Sequence, residues 1–195
     1  MDIRITDQLT RGQLRDLKKL YRSAFPASEK KPFWLIKMKK RAGITDILGL
    51  LDENNRLVGE LITIAWRDLL LVDYFAIAEQ VRGQGCGTRA LELLRERYND
   101  RRILLEIEAT QVSCGNLQQR MRRKQFYLSC GFDSMDYHVD LFGVEMEIMT
   151  LGGRRVSFAE YHEIFTGVYG RRFARRVSLM EHPHSGPSLS SNIQK

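Results

Sequence analysis

Gly83, Gly85 and Gly87 stand at every second position in VRGQGCGTRAL, residues 81–91. The stretch before them, LLLVDYFAIA (69–78), is rich in branched and aromatic residues and reads as a strand. The stretch after them, 88–98, puts Leu91, Leu94 and Tyr98 on one face of a helix. Successive backbone N–H groups freed of Cβ obstruction form an anion-binding nest. The helix that follows points its positive N-terminus at the same spot, and Arg82 adds a charge-assisted contact. Such a loop suits a pyrophosphate. Two phosphate loops are excluded by spacing. A Walker A loop fails because the position five after Gly83 is Thr88 and no lysine follows Gly87. A dinucleotide fingerprint fails because its third glycine position is again Thr88, and no first strand opens the chain. The remaining alternative is a tight turn that needs glycines and binds nothing.

The rest of the chain supplies a mixed set of elements. RGQLRDLKKLYRSAF carries Leu14, Leu17, Leu20 and Tyr21 at helical spacing and stops at Pro26. FWLIKMKKRAG, 33–43, reads as a second helix ended by Gly43. ILGLLDENNRLVGELITIAW reads as strand, turn, strand, with DENN as the turn. RRILLEIEA, 101–109, is another strand; 117–129 is a helix closed by Gly131; LFGVEMEIMTL, 141–151, alternates as a strand. Ser157 and Glu160 form a capping box for a last helix with Phe158, Tyr161, Phe165 and Val168 on its apolar face. This order predicts an α/β sandwich, a mixed sheet with helices on its faces. The expectation is one domain over 1–177 and a flexible polar tail over 178–195.

At 195 residues the chain is long enough to bury a core without staples. Its apolar runs are far shorter than a membrane span, so no membrane partner is expected. MDIRITDQL has no apolar run of the kind a secretory leader needs. Cys86, Cys114 and Cys130 are odd in number and contain no CxxC, which predicts reduced thiols in a cytoplasm. His138, His162, His182 and His184 are scattered, so no metal is expected. The net charge of +7 is uneven: residues 11–41 hold eleven Lys and Arg against Asp16 and Glu29. That segment is either a solvated helix face or a surface for an anion: a phosphorylated cofactor, an acidic substrate or nucleic acid. No helix-turn-helix or RNA-binding signature accompanies it, and no nucleic acid is expected.

A second motif, RRKQFYLSCGF (122–132), lies some 40 residues beyond the glycine loop with one strand between them. Together FAIAEQVRGQGCGTRAL and FYLSCGF resemble the GCN5-related N-acetyltransferases (GNATs), in a bacterial-type form, over about 65–150. The first matches their Q/R-x-x-G-x-G/A signature and the second their F-Y-x-x-x-G-F ending. The resemblance implies a mostly antiparallel central sheet with helices on both faces, here with an added C-terminal helix. It implies acetyl-CoA as cosubstrate and a primary amine as acceptor, joined by direct transfer in a ternary complex.

The cofactor would be held by the backbone of Phe75, Ala76 and Ile77 and by the loop Arg82, Gly83, Gln84, Gly85, Cys86, Gly87 and Thr88. The Ile77 N–H would polarise the thioester carbonyl. An amine of pKa ~10.4 needs a base at pH 7. Glu106 and Glu108 lie two apart on one strand face, and a carboxylate pair there predicts one raised pKa. Glu106 matches the base of ribosomal-protein N-terminal acetyltransferases. The alternative for both is pairing with arginines such as Arg101 or Arg123. Tyr127 matches the general acid that protonates the departing thiolate, the alternative being a core tyrosine. Leu71 stands where histone-type relatives carry a glutamate, with Asp73 two further on, which argues against a histone-type mechanism. Arg120 stands where many relatives carry an asparagine. Cys86 has no base nearby and is not read as a nucleophile.

Two functions from other classes remain open on sequence alone. One is a non-catalytic CoA-binding module; the other is a nucleic-acid binder using 11–41. The acceptor is unnamed: a small molecule is the first expectation, a peptide N-terminus or lysine the second. The assembly is expected to be a monomer or a homodimer.

Overall fold

The computed structural model describes residues 1–27, 29–110 and 115–180. The order is β1 (Ile3–Thr6), α1 (Arg11–Ala24), α2 (Phe33–Arg41), β2 (Thr45–Asp52), β3 (Leu57–Trp66) and β4 (Leu69–Ile77). After the glycine loop come α3 (Cys86–Arg97), β5 (Arg102–Glu108), α4 (Leu117–Ser129), β6 (Phe132–Leu141) and β7 (Val144–Leu151). The chain then forms α5 (Phe158–Tyr169), α6 (Arg171–Ala174) and β8 (Val177–Met180). The strands make one sheet in the order β1-β2-β3-β4-β5-β7-β6-β8. Every neighbouring pair is antiparallel except β4–β5, which is parallel. No helix among the described residues is long and apolar enough to cross a membrane.

Side-chain alternation along the strands builds a core on each face. Leu48, Leu61, Leu70, Leu105 and Ile107 pack beneath α3 and α4, together with Cys86, Leu91, Leu94 and Tyr127. The opposite face splits in two. Ile47, Ile62 and Tyr74 meet Leu17, Tyr21 and Ile36 of α1 and α2. Ile64, Leu71, Leu104 and Ile148 meet Tyr161, Ile164 and Phe165 of α5. Capping boxes fix the starts of α1, at Thr10 and Gln13, and of α5, at Ser157 and Glu160.

Four local features depart from the sequence reading. Residues 141–151 are not one strand. Phe142 (φ 57°) and Gly143 (φ 89°) are both left-handed, and they turn the chain from β6 into β7. β6 itself was unexpected, because a register irregularity between Ser134 and His138 breaks its alternation. A first strand does open the chain, contrary to the sequence reading: β1, only four residues long, pairs with β2. Val177–Met180 pairs with β6, so the strand runs into the first residues of the expected tail; 181–195 lie outside the described residues.

Two buried features of this frame carry energetic consequences. α5 approaches β3 so closely that a Cβ on Gly167 would lie 2.0 Å from Trp66 Cη2. Gly167→Ala is expected to force the indole aside, at a cost of about 1–3 kcal/mol. The melting temperature should then fall by roughly 2–4 °C per kcal/mol, which a thermal unfolding scan reads directly. A gain would mean that α5 tolerates the added methyl. The second feature is Glu60 of β3, fully buried between Gly49 of β2 and Ala76 of β4. Neither neighbour has a polar side chain, and neither carboxyl oxygen has a hydrogen-bond partner among the described residues. Burial alone pushes its pKa up to about 8.

Candidate active site

The site begins where the sheet fails to close. β4 and β5 pair over only four rungs, from Leu69↔Arg102 to Val72↔Leu105. Beyond them Tyr74–Ile77 pair only with β3, and Glu106–Glu108 only with β7. The strands diverge into a fork whose inner backbone edges lack a partner strand. A bulge starts the divergence: Ile62 faces Tyr74 and Thr63 faces Val72, which leaves Asp73 out of register. Phe75, Ala76 and Ile77 line one prong, as the resemblance implies.

The glycine loop caps this prong. Gly83 (φ 76°) and Gly85 (φ 77°) are left-handed, and a Cβ on either would meet open space. Their glycines therefore serve backbone conformation and leave room outside it. Gly85 is the N-cap of α3, and no side chain caps that helix start, so its first N–H groups remain available. Arg82 Nε donates to the Ile77 carbonyl at 3.2 Å, and Gln84 Nε2 to the Gln80 carbonyl at 3.3 Å. Arg82, Gln84 and Thr88 are exposed. Two loop residues face inward. Cys86 is buried in the core, and Gly87 makes room for Phe126, whose Cζ would sit 3.0 Å from a Cβ there. Phe126 also packs on Phe75, at 6.4 Å between ring centroids. The geometry fits an anion at Gly83–Gly85 with an extended arm along Phe75–Ile77.

The two glutamates of β5 part company. Glu106 accepts a hydrogen bond from Tyr161 of α5 at 2.6 Å. Burial pushes its pKa up to about 7, Tyr161 and Lys31 hold it down, and Asp73 raises it. The like charge that acts on Glu106 is thus Asp73, whereas the sequence pattern pointed to Glu108. Glu108 instead pairs with Arg120 at 2.6 Å and Arg123 at 3.6 Å, the arginine-bound alternative. Arg120 also donates to the Ala109 carbonyl, so it braces the end of β5.

Tyr127 lies on the other face, buried between Phe126 and Phe132. Burial pushes its hydroxyl up to about 12, so it stays protonated at neutral pH. Glu106 and Tyr127 therefore lie on opposite faces of the sheet.

Three residues at the site escaped the sequence reading: Lys31, Tyr161 and Tyr169. Lys31 Nζ contacts Asp73 Oδ1 at 2.6 Å and lies over the rings of Tyr74 and Tyr169, at 5.6 and 5.0 Å. A tyrosine on an apolar helix face is the one available signal, because its hydroxyl needs a partner. Leu71 is fully buried. Cys86 and Cys130 are free thiols; Cys114, His182 and His184 lie outside the described residues. Among the described residues no cluster of His, Cys, Asp and Glu could hold a metal.

No protein-family model matches the sequence, and no curated protein matches it. Solved structures do. A GNAT-family protein from Bacteroides thetaiotaomicron superposes with a TM-score of 0.70 at 22% identity, over 86% of this chain and 99% of its own. An aminoglycoside 6′-N-acetyltransferase complexed with coenzyme A gives 0.61 at 15% identity, over 80% and 100% of the two chains. A spermidine N-acetyltransferase from Vibrio cholerae in complex with CoA and spermine gives 0.58 at 18%, over 76% and 94%. The forked sheet, with its glycine loop leading into a helix, is the fold of the GCN5-related N-acetyltransferases, and this chain has it.

Proposed function

We propose that the protein is an acetyl-CoA-dependent N-acetyltransferase acting on a primary amine. The observation that carries this is the fork: a gap between β4 and β5 with a nest at its mouth, Glu106 on one face and Tyr127 on the other. The backbone at Gly83–Gly85 and the start of α3 hold the pyrophosphate, and Phe75, Ala76 and Ile77 hold the pantetheine arm. The Ile77 N–H polarises the thioester carbonyl. Glu106, with a pKa of about 7, takes a proton from the acceptor ammonium. The freed amine attacks the carbonyl carbon; the new C–N bond forms as the C–S bond breaks, and the acylated nitrogen releases its surplus proton to solvent. Tyr127 donates a hydrogen bond to the departing sulfur. Full proton transfer from a phenol near 12 to a thiolate near 8.5 is uphill by roughly 5 kcal/mol, so the sulfur takes its proton from solvent. Glu108, tied to two arginines, is the poorer base. Free thiols at Cys86 and Cys130 suit a cytoplasmic enzyme.

Calorimetry with acetyl-CoA, ATP and NAD tests this. Wild type is expected to bind acetyl-CoA in the micromolar range and the others far more weakly. Gly85→Trp fills the open side of the nest and strains a left-handed position, and is expected to abolish binding. Absence of acetyl-CoA binding in a folded wild type would end the acetyltransferase reading. Binding without turnover on any amine would leave a CoA-binding module.

A further inference from the structure

Part of the basic segment that the sequence left unassigned borders an open recess. The end of α1 and the chain from Lys30 to Phe33 flank about 290 Å³ lined by Lys18, Arg22, Lys30 and Lys31, with Tyr21 and Phe33 as apolar walls. No carboxylate among the described residues lines it. Only Lys31 has an ion-pair partner among the described residues, so Lys18, Arg22 and Lys30 leave the recess strongly positive. A solvated basic helix face spreads its side chains outward. Here two chain segments converge on one hollow. Lys18 lies over the Phe33 ring at 5.3 Å, and Lys30 Nζ donates to the Arg22 carbonyl at 2.7 Å.

The backbone of this wall is pinned. Tyr21 donates to the Lys31 carbonyl at 2.9 Å, the Lys31 N–H donates to the Tyr74 hydroxyl at 3.0 Å, and Tyr74 donates to the Glu29 carbonyl at 2.8 Å. Lys31 is thus a fixed partition. One side of it faces the pocket; its ammonium meets Asp73 and acts electrostatically on Glu106. The recess is therefore separated by one side chain, Lys31, from Asp73, the carboxylate that acts on the proposed base. It does not adjoin the nest, because α1 and α2 cover one face of the sheet and α3 the other. An anion in this pocket cannot be a phosphate held at Gly83–Gly85.

We propose that this pocket receives the anionic group, a phosphate or a carboxylate, of the molecule whose primary amine reaches Glu106. The acceptor is then an amine that also carries negative charge, unlike a polyamine. The assignment rests on the acetyltransferase reading for its amine half; the anion half stands on the pocket alone.

The test uses matched pairs on the full chain: glucosamine 6-phosphate against glucosamine for phosphate, and β-alanine against propylamine for carboxylate, with spermidine as the cationic control. In acetylation assays kcat/KM for the anionic member of at least one pair is expected to exceed its partner by tenfold or more. The pair that responds identifies the anion. Lys18→Gln/Arg22→Gln, two substitutions outside the core, is expected to remove the preference through KM with kcat changed less than threefold. Inorganic phosphate is expected to compete with the amine and not with acetyl-CoA. Calorimetry of these five compounds and of acetyl-CoA separates the two ideas. If acetyl-CoA does not bind but an anionic amine does, and the double variant loses it, the pocket stands and the acetyltransferase reading falls. Equal responses within both pairs, or a preference for spermidine, would overturn the proposal.

Discussion

Glu106→Gln is expected to lower kcat for amine acetylation by roughly 10²–10⁴-fold, the range for removing a positioned base. Acetyl-CoA affinity should change little, because Glu106 faces α5 and the nest lies at the far end of β4. The pH profile identifies the group. In wild type kcat/KM should rise through a pH of about 7, as the carboxyl that burial keeps protonated loses its proton. The variant should lack that limb. Tyr161→Phe sharpens the reading. Its hydroxyl stabilises the Glu106 carboxylate, so its removal should move the limb to higher pH. A Glu106→Gln enzyme with the wild-type pH profile would move the base elsewhere, with Asp73 the next group to substitute.

The second large effect concerns stability. Glu60 has a folded pKa of about 8 against an ordinary value of 4.5. Below pH 4.5 it is neutral in both states and costs nothing in charge. Between 4.5 and 8 the unfolded chain releases the proton and the folded chain keeps it. Stability therefore falls as pH rises through that window, by roughly 5 kcal/mol in all, and is level above it. Glu106 adds to the same trend between pH 4.5 and about 7. Glu60→Met keeps the length of the side chain and removes the ionisable group. At pH 8 it is expected to raise the melting temperature by about 10 °C or more, given roughly 2–4 °C per kcal/mol for a chain this size. At pH 4.5 the two proteins should melt much closer together. Denaturant titrations at both pH values check this. Equal stabilities at pH 8 would mean that the carboxyl finds a partner in solution.

Most of the frame was legible because local patterns carried it. The α5 cap, the β2–β3 turn and the strand–loop–helix at 69–98 each depend on residues a few positions apart. What escaped depends on distance or on broken pattern. β6 lost its alternation to an irregularity, and β1 and β8 are four residues each. The glycine loop follows from its motif. The Lys31–Asp73 pair and the Tyr161–Glu106 hydrogen bond join residues 42 and 55 positions apart, and no spacing rule reaches that far. The sequence did pose the question of Glu106 against Glu108. Only the third dimension separated them, by giving arginines to one and a tyrosine to the other.

The short parallel ladder also makes the molecule mechanically double. Strands β1–β4 come from the first half of the chain and β5–β8 from the second, and the polypeptide crosses between them once, from α3 into β5. Four rungs, the brace of α5, which touches Ile64 and Leu71 on one side and Leu104 and Ile148 on the other, and the core beneath α3 and α4, which joins Leu61 and Leu70 to Leu105 and Ile107, hold the halves together. On the proposed reading, a cofactor arm along Phe75–Ile77 would pair with the open edge of β4, and its binding free energy would add to the resistance of the joined halves to unfolding.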